Sequence, residues 1–362
     1  MKISSPVKYL VTIALTLSLV SILYSAAFLY QLGALVAAEY WIYESRIVKH
    51  ELLKQIQDTR KLIFVGGSSA FFGIDSSLIE KGLGISTYNL GLHAGLPLDF
   101  ILREITPYLK HGDIVVLHLE YNYYTFPTPY SVWFTDQIMA FYPEYFWQLK
   151  AREKIKFSFS VPPQRVLAGV MTKMMGEHLE DVRKRQLKSS NRILGLIHAA
   201  WAQKGYRPDN MHSFDNMYSF LNIDPHGDAI FGTGQLNRES AAQYYKIEGL
   251  DRDFVESKYF WEVLRDFFVN YRARGVDVYI TWPPIVEGIL DFNSQRVLNS
   301  VRAISERINE IGIPVLGNPS EFQYDIGLFL DTAYHLTSQG KTEHTNRLLG
   351  CFKGKGIYFP SP

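Results

Sequence analysis

Lys61-Leu-Ile-Phe-Val-Gly-Gly-Ser-Ser-Ala70 decides the fold. A short apolar run that ends in glycines and hydroxyl residues reads as a buried strand feeding a turn. Similar runs recur at 86–90, 113–119 and 276–282, with a weaker one at 313–316. Helical periodicity covers 98–110, 253–274 and 292–311. Strands alternating with helices predict a parallel sheet covered on both faces, a three-layer α/β/α domain. In such a sheet the ligand sits at the carboxyl ends of the strands.

The sheet pattern is interrupted between the third and fourth strands. A simple crossover needs far less chain than lies there, so residues 121–250 read as an insertion or lid. It opens on an aromatic run: Tyr121, Tyr123, Tyr124, Phe126, Tyr130, Trp133 and Phe134. Helical stretches follow near 131–156 and 163–202, then a polar, glycine-containing stretch over 204–243. The domain plan is a tail and anchor over 1–38, a juxtamembrane helix over 39–60, and an α/β domain over 61–120 and 251–362. The insertion interrupts that domain. An aromatic run of this kind either stacks on sugar rings or seats the insertion on the core or on lipid.

From Tyr9 to Ala38 no side chain is charged. A helix of that length is about 45 Å long and exceeds the hydrocarbon core of a bilayer. The run is too long for a secretory signal, and no polar break precedes Ala26 and Ala27. It predicts one uncleaved transmembrane helix from Tyr9 to about Gln31. Lys2 and Lys8 precede it, which favours a cytoplasmic N-terminus and a body outside the inner membrane of a bacterium, in the periplasm.

Lys and Arg number 37 against 36 Asp and Glu. That balance gives no electrostatic reason to expect nucleic acid as a partner. Apolar residues make up 47 %, which excludes wholesale disorder. One cysteine, Cys351, excludes an internal disulfide framework and a cysteine-rich zinc site. The histidines are scattered, and none shows the spacing of a metal-binding helix pair, so neither a metal nor a cofactor is expected.

Four segments carry residues of catalytic type. Gly66-Gly67-Ser68-Ser69 follows the first strand. A hydroxyl on such a turn is exposed at the sheet edge, though a serine there is also an ordinary helix cap. Asn89-Leu-Gly-Leu-His-Ala-Gly95 follows the second strand, and its glycines let a backbone N–H approach a bound group. Glu120-Tyr121-Asn122 follows the third, where Asn122 can offer an amide and Glu120 a carboxylate. Near the end lies Asp331-Thr-Ala-Tyr-His335, in which an Asp can hold the imidazole tautomer of a His. A helix cap, a glycine turn, a loop asparagine and a surface loop are the plainer readings of the four.

In this order the four segments resemble the SGNH/GDSL hydrolase superfamily. They resemble in particular the membrane-anchored SGNH-like proteins of bacterial surface-polysaccharide O-acetylation and teichoic-acid D-alanylation. The resemblance implies a flavodoxin-like sheet and a serine esterase or O-acyltransferase. It places the nucleophile at Ser68, the base at His335 and its orienting acid at Asp331. The oxyanion falls to the N–H groups of Ser68 and Gly95 with the Asn122 amide. Ser69, Gly91 and Glu120 are the reserve positions. Gly340 falls where the family often has a glycine after the histidine. Gly67 replaces the family's Asp, Glu120-Tyr121 replaces the Gly before the block-three Asn, and the Asp–His spacing is one residue longer.

The resemblance implies an acetyl or similar small acyl group, a glycan or acyl-ester substrate, and a multi-pass acyltransferase or polysaccharide assembly proteins as partners. The altered blocks leave a second reading, a catalytically inactive scaffold in an assembly or export complex. A nucleotide- or flavin-binding domain shares the sheet but lacks its phosphate motif.

Overall fold

The computed structural model describes residues 5–36, 38–126, 128–176, 195, 218–230, 236–248 and 255–357. The part of the expected 163–202 helix beyond 176, apart from 195, lies outside the described residues. So do 204–217 and 231–235 of the polar stretch that follows it. In chain order the helices begin with α1 (Ser5–Gln31), α2 (Tyr40–Gln55), α3 (Ser68–Gly73), α4 (Ser76–Leu83), α5 (Leu98–Ile105) and α6 (Asn122–Thr125). Then come α7 (Val132–Phe141), α8 (Pro143–Gln148), α9 (Ala151–Ser160) and α10 (Pro163–Met174). The last are α11 (Arg238–Glu248), α12 (Lys258–Arg272), α13 (Gln295–Ile311) and α14 (Ser338–Gly354). The strands are β1 (Lys61–Gly66), β2 (Ser86–Asn89), β3 (Ile114–His118), β4 (Asp277–Thr281), β5 (Ile285–Val286), β6 (Val315–Leu316) and β7 (Gln323–Tyr324).

The chain divides into two units. One joins residues 1–39 to 130–189, and the other joins 40–129 to 190–362. The second unit is a mixed α/β structure built on a five-stranded sheet of order β2-β1-β3-β4-β6. All of its pairings are parallel. Their register sets Gly66 beside His118, and His118 beside Thr281. This is the doubly wound order in which the chain leaves β1 for one side and returns for β3 on the other. The loops after β1 and β3 therefore flank the crevice where ligands bind in such sheets.

Both central strands are buried along their length, as expected of a parallel sheet covered on two faces. At the end away from that crevice, Lys61 Nζ meets Asp113 Oδ2 at 2.8 Å, with both side chains buried. α4 starts on Asp75, which accepts the Leu78 N–H, and stops at Gly84 with φ +71°. The helix expected over 98–110 ends at Ile105 and passes into a single 3-10 turn, Thr106–Tyr108. Pro107 brings no N–H of its own to continue the helical ladder.

The first unit contains α1, the one helix among the described residues that is long and apolar enough to cross a membrane, with a mean hydropathy of 2.0. The helix expected over 131–156 is three helices, and Pro143 opens the second of them. The unit holds a buried polar cluster. Arg165 donates to Asp136 Oδ1 at 2.9 Å, to Gln31 Oε1 at 2.9 Å and to the Ala34 carbonyl at 3.1 Å.

The aromatic run after β3 is mostly core. Tyr121, Tyr123, Tyr124, Tyr130 and Phe134 are buried, and Phe126 alone of the run is well exposed. Tyr124 stands edge-on to Phe260 at 4.8 Å, and Tyr130 edge-on to Phe157 at 5.3 Å. These rings are therefore not available to stack on a sugar. Burial of so much rigid apolar surface is the stronger use of them.

Candidate functional site

The crevice residues come from four places in the second unit. β1 ends at Gly66, and α3 begins two residues later at Ser68. Ser68 is half-buried. Neither its hydroxyl nor its N–H has a hydrogen-bond partner among the described residues. Ser69 is different. Its side chain is fully buried, its N–H goes to Glu120 Oε1 at 2.7 Å, and its hydroxyl meets His118 Nδ1 at 3.1 Å. Of the two adjacent serines, only Ser68 is accessible.

Asp331 and His335 come together despite the longer spacing. His335 Nδ1 lies 2.8 Å from Asp331 Oδ1. The longer loop is absorbed by Thr332, whose hydroxyl accepts the Tyr334 and His335 N–H groups at 3.2 and 3.1 Å. Burial would raise the Asp331 carboxyl. The hydrogen bond and charge of His335, with the Tyr218 hydroxyl, outweigh that and hold it below its ordinary value. Because Nδ1 is engaged by the carboxylate, Nε2 of His335 is the nitrogen left for proton transfer.

His335 stacks on Phe72, with ring centroids 4.0 Å apart. Phe72 lies four residues after Ser68 on α3, hence on the same helix face. Ser68 and His335 thus address one side of α3. They are not hydrogen-bonded to each other, and such bonds often tighten only when substrate binds.

Of the expected oxyanion donors, the Ser68 N–H is open. The Gly95 N–H is not, because it donates to His93 Nδ1 at 3.0 Å. The Gly91 N–H is taken by Asn89 Oδ1 at 2.8 Å. Asn122 heads α6 and is buried, with its Oδ1 unpartnered. Glu120 is buried beneath the Ser68 turn. Burial pushes its carboxyl up, while the Ser69 N–H and the nearby His335 pull the other way. Its Oε2 has no hydrogen-bond partner.

Several site residues escaped the sequence reading. Tyr218, from the insertion, donates its hydroxyl to Asp331 Oδ2. Its ring lies 5.0 Å from Trp41 and 5.9 Å from Phe72. Trp41 in turn stands 6.1 Å from His93. Trp41, His93 and Tyr218 are all half-buried, so an aromatic wall stands beside the Asp331–His335 pair.

Beneath the turn runs a buried chain. His118 Nε2 meets His344 Nε2 at 3.0 Å, and His344 Nδ1 meets Tyr324 Oη at 3.0 Å. Burial lowers His118 to about 3, and burial with the charge of neighbouring His118 lowers His344 far more than usual. Both rings are therefore neutral, and each donates from one nitrogen while accepting at the other. Among the described residues no group of acids, histidines or cysteines is arranged to hold a metal ion.

No family model matches this chain. No curated protein matches it either. Among solved structures it is similar to protein YXIM_BACsu from Bacillus subtilis, at a TM-score of 0.33 and 12 % identity over 83 % of this chain. The chain spans 58 % of that protein's length.

Proposed function

We propose that this chain is a membrane-anchored, SGNH-like serine esterase or O-acyltransferase. It moves an acetyl or similar small acyl group on an exported or cell-surface glycan. The observation that carries this reading is the Asp331–His335 hydrogen bond of 2.8 Å, with its imidazole stacked one helical turn from the accessible Ser68. The anchor, α1, supports placement at a bacterial inner membrane with the body in the periplasm.

In this mechanism Ser68 Oγ bonds to the acyl carbon as its proton passes to His335 Nε2. The same proton then goes to the departing alcohol, which leaves an acyl-Ser68 ester. Asp331 stabilises the imidazolium while it exists. The open Ser68 N–H faces the oxyanion, where one such donor is worth roughly 3 kcal/mol. Water as the second acceptor gives an esterase, and a sugar hydroxyl gives a transferase. A multi-pass acyltransferase would supply the acyl group from across the membrane.

The test is acetyl-ester hydrolysis by the detergent-solubilised full chain beside Ser68→Ala and His335→Ala. Both variants are expected to lose turnover, and equal rates in all three would end this reading. The occupied Gly95 N–H favours a second reading, an inactive scaffold in a polysaccharide assembly complex. A serine-directed phosphonate that labels Ser68 supports the enzyme, and no labelling supports the scaffold.

A further inference from the structure

Helices α9 and α10 carry apolar side chains that their own unit leaves uncovered. Phe159 is 88 % exposed and Met175, just past α10, is 82 % exposed. Ile155, Leu167, Met171 and Met174 are also exposed. A soluble surface rarely gathers so many large apolar groups without a partner.

The packing of α10 says which partner this is. Arg165 reaches the Ala34 carbonyl at 3.1 Å. One turn on, Gly169 abuts Gln31, where a β-carbon would fall 2.8 Å from the Gln31 Cβ. A further turn on, Lys173 donates to the Tyr30 carbonyl at 2.7 Å. α10 therefore runs back along the end of α1 at close quarters. Its Leu167, Met171 and Met174 stand level with the last turns of the anchor, where Leu29 and Tyr30 are themselves exposed. A surface continuous with a spanning helix, at the same level, meets the same lipid.

The charges agree. Lys150 and, on α9, Arg152 and Lys156 are exposed along the stretch that leads to Phe159, with Lys156 also paired to Glu153 Oε1 at 3.1 Å. Cations interleaved with apolar groups suit a face lying on anionic headgroups. The same row would repel its own copy across a two-fold interface.

We propose that α9 and α10 form a second membrane-contacting element beside α1. Their exposed apolar side chains lie in the acyl boundary, and Lys150, Arg152 and Lys156 lie on anionic headgroups. This holds whether or not the chain is an enzyme.

Bilayer depth tests it. The full chain with Cys351→Ser would carry one cysteine, by Phe159→Cys, Met174→Cys or Leu19→Cys, labelled with bimane. Each would be reconstituted in phosphatidylcholine–phosphatidylglycerol vesicles with and without brominated acyl chains. The Leu19 site, in the anchor, gives the full loss of fluorescence. Comparable losses at Phe159 and Met174 are expected, and a loss at Leu19 alone would overturn the proposal. Pyrene excimers between copies labelled at Phe159 would also overturn it, in favour of self-association. The Phe159 loss should weaken in pure phosphatidylcholine, and an equal loss there would remove the headgroup pairing.

Discussion

Gly67 and Glu120 share one space. A β-carbon at 67 would lie 2.5 Å from Glu120 Oε2 and 2.6 Å from Oε1. The segment after β3 delivers a carboxyl group from the neighbouring strand into the space that a side chain at 67 would need.

This relationship predicts a coupled pair. Gly67→Ala should cost about 1–3 kcal/mol of stability by overpacking. Glu120→Gly should recover part of that loss when combined with it. Recovery is incomplete because the Ala94 Cα would also lie only 2.6 Å from the new β-carbon. Chemical denaturation of the two single variants and the double variant measures the coupling. Additive losses would break the argument.

The buried histidines predict acid sensitivity. His118 is neutral in the folded chain down to about pH 3 but titrates in the unfolded chain near its ordinary value. Below about pH 6.5 the unfolded state binds the extra proton, so stability falls with pH by about 1.4 kcal/mol per unit for each such histidine. The fall continues until the folded pKa is reached. His118→Asn removes one share. The stability difference between wild type and this variant should therefore shrink as pH drops from 7 toward 5. Urea unfolding at several pH values reads it, and a constant difference would contradict it.

The centre of the sheet was legible because β1 and β3 carry continuous apolar runs, Leu62–Val65 and Ile114–Leu117, the first of them ending in glycine. Ser68, Asp331 and His335 were singled out because each sits in a short segment after a strand or before a helix, and the contact between Asp331 and His335 was legible in their closeness along the chain. Trp41 and Tyr218 were not, since neither lies near a site segment in sequence. His118 and His344 showed no pattern either. Their contact is made only when β3 and α14 pack together, and local spacing carries no trace of it. The occupied Gly95 N–H was equally hidden, because a glycine's neighbours do not reveal where its N–H points.

Tyr218 predicts a positioning effect. Its hydroxyl helps hold Asp331 ionised and in place. Tyr218→Phe should lower kcat for a small acetyl ester about tenfold, the scale of one hydrogen bond to a charged group, with KM little changed. Asp331→Asn should cost far more, about 10²–10⁴, by releasing the imidazole tautomer. The low-pH limb of the rate profile should move in Tyr218→Phe. A purely structural tyrosine would lower the active fraction and leave that limb where it is.

Trp41 predicts a substrate-dependent effect. Its half-buried ring faces Tyr218 beside the Asp331–His335 pair. Trp41→Ala should raise KM for an acetylated sugar about threefold to tenfold, the scale of one aromatic contact. Turnover of a small acetyl ester should barely change. Equal effects on both substrates would mean that Trp41 supports the fold rather than the sugar.

Arg165 predicts a loss that depends on pH. It is buried against Asp136 at 2.9 Å and shared with Gln31 and the Ala34 carbonyl. Arg165→Met strands the Asp136 carboxylate, and breaking a buried pair in this way costs about 3–5 kcal/mol. Burial already raises the Asp136 carboxyl despite the neighbouring guanidinium. Without that guanidinium it rises further and takes up a proton more readily. The variant should therefore recover stability as pH falls, and Asp136→Asn added to it should restore stability at neutral pH. Thermal unfolding of the detergent-solubilised full chain at pH 5 and 8 distinguishes this from simple loss of packing, which would cost the same at both.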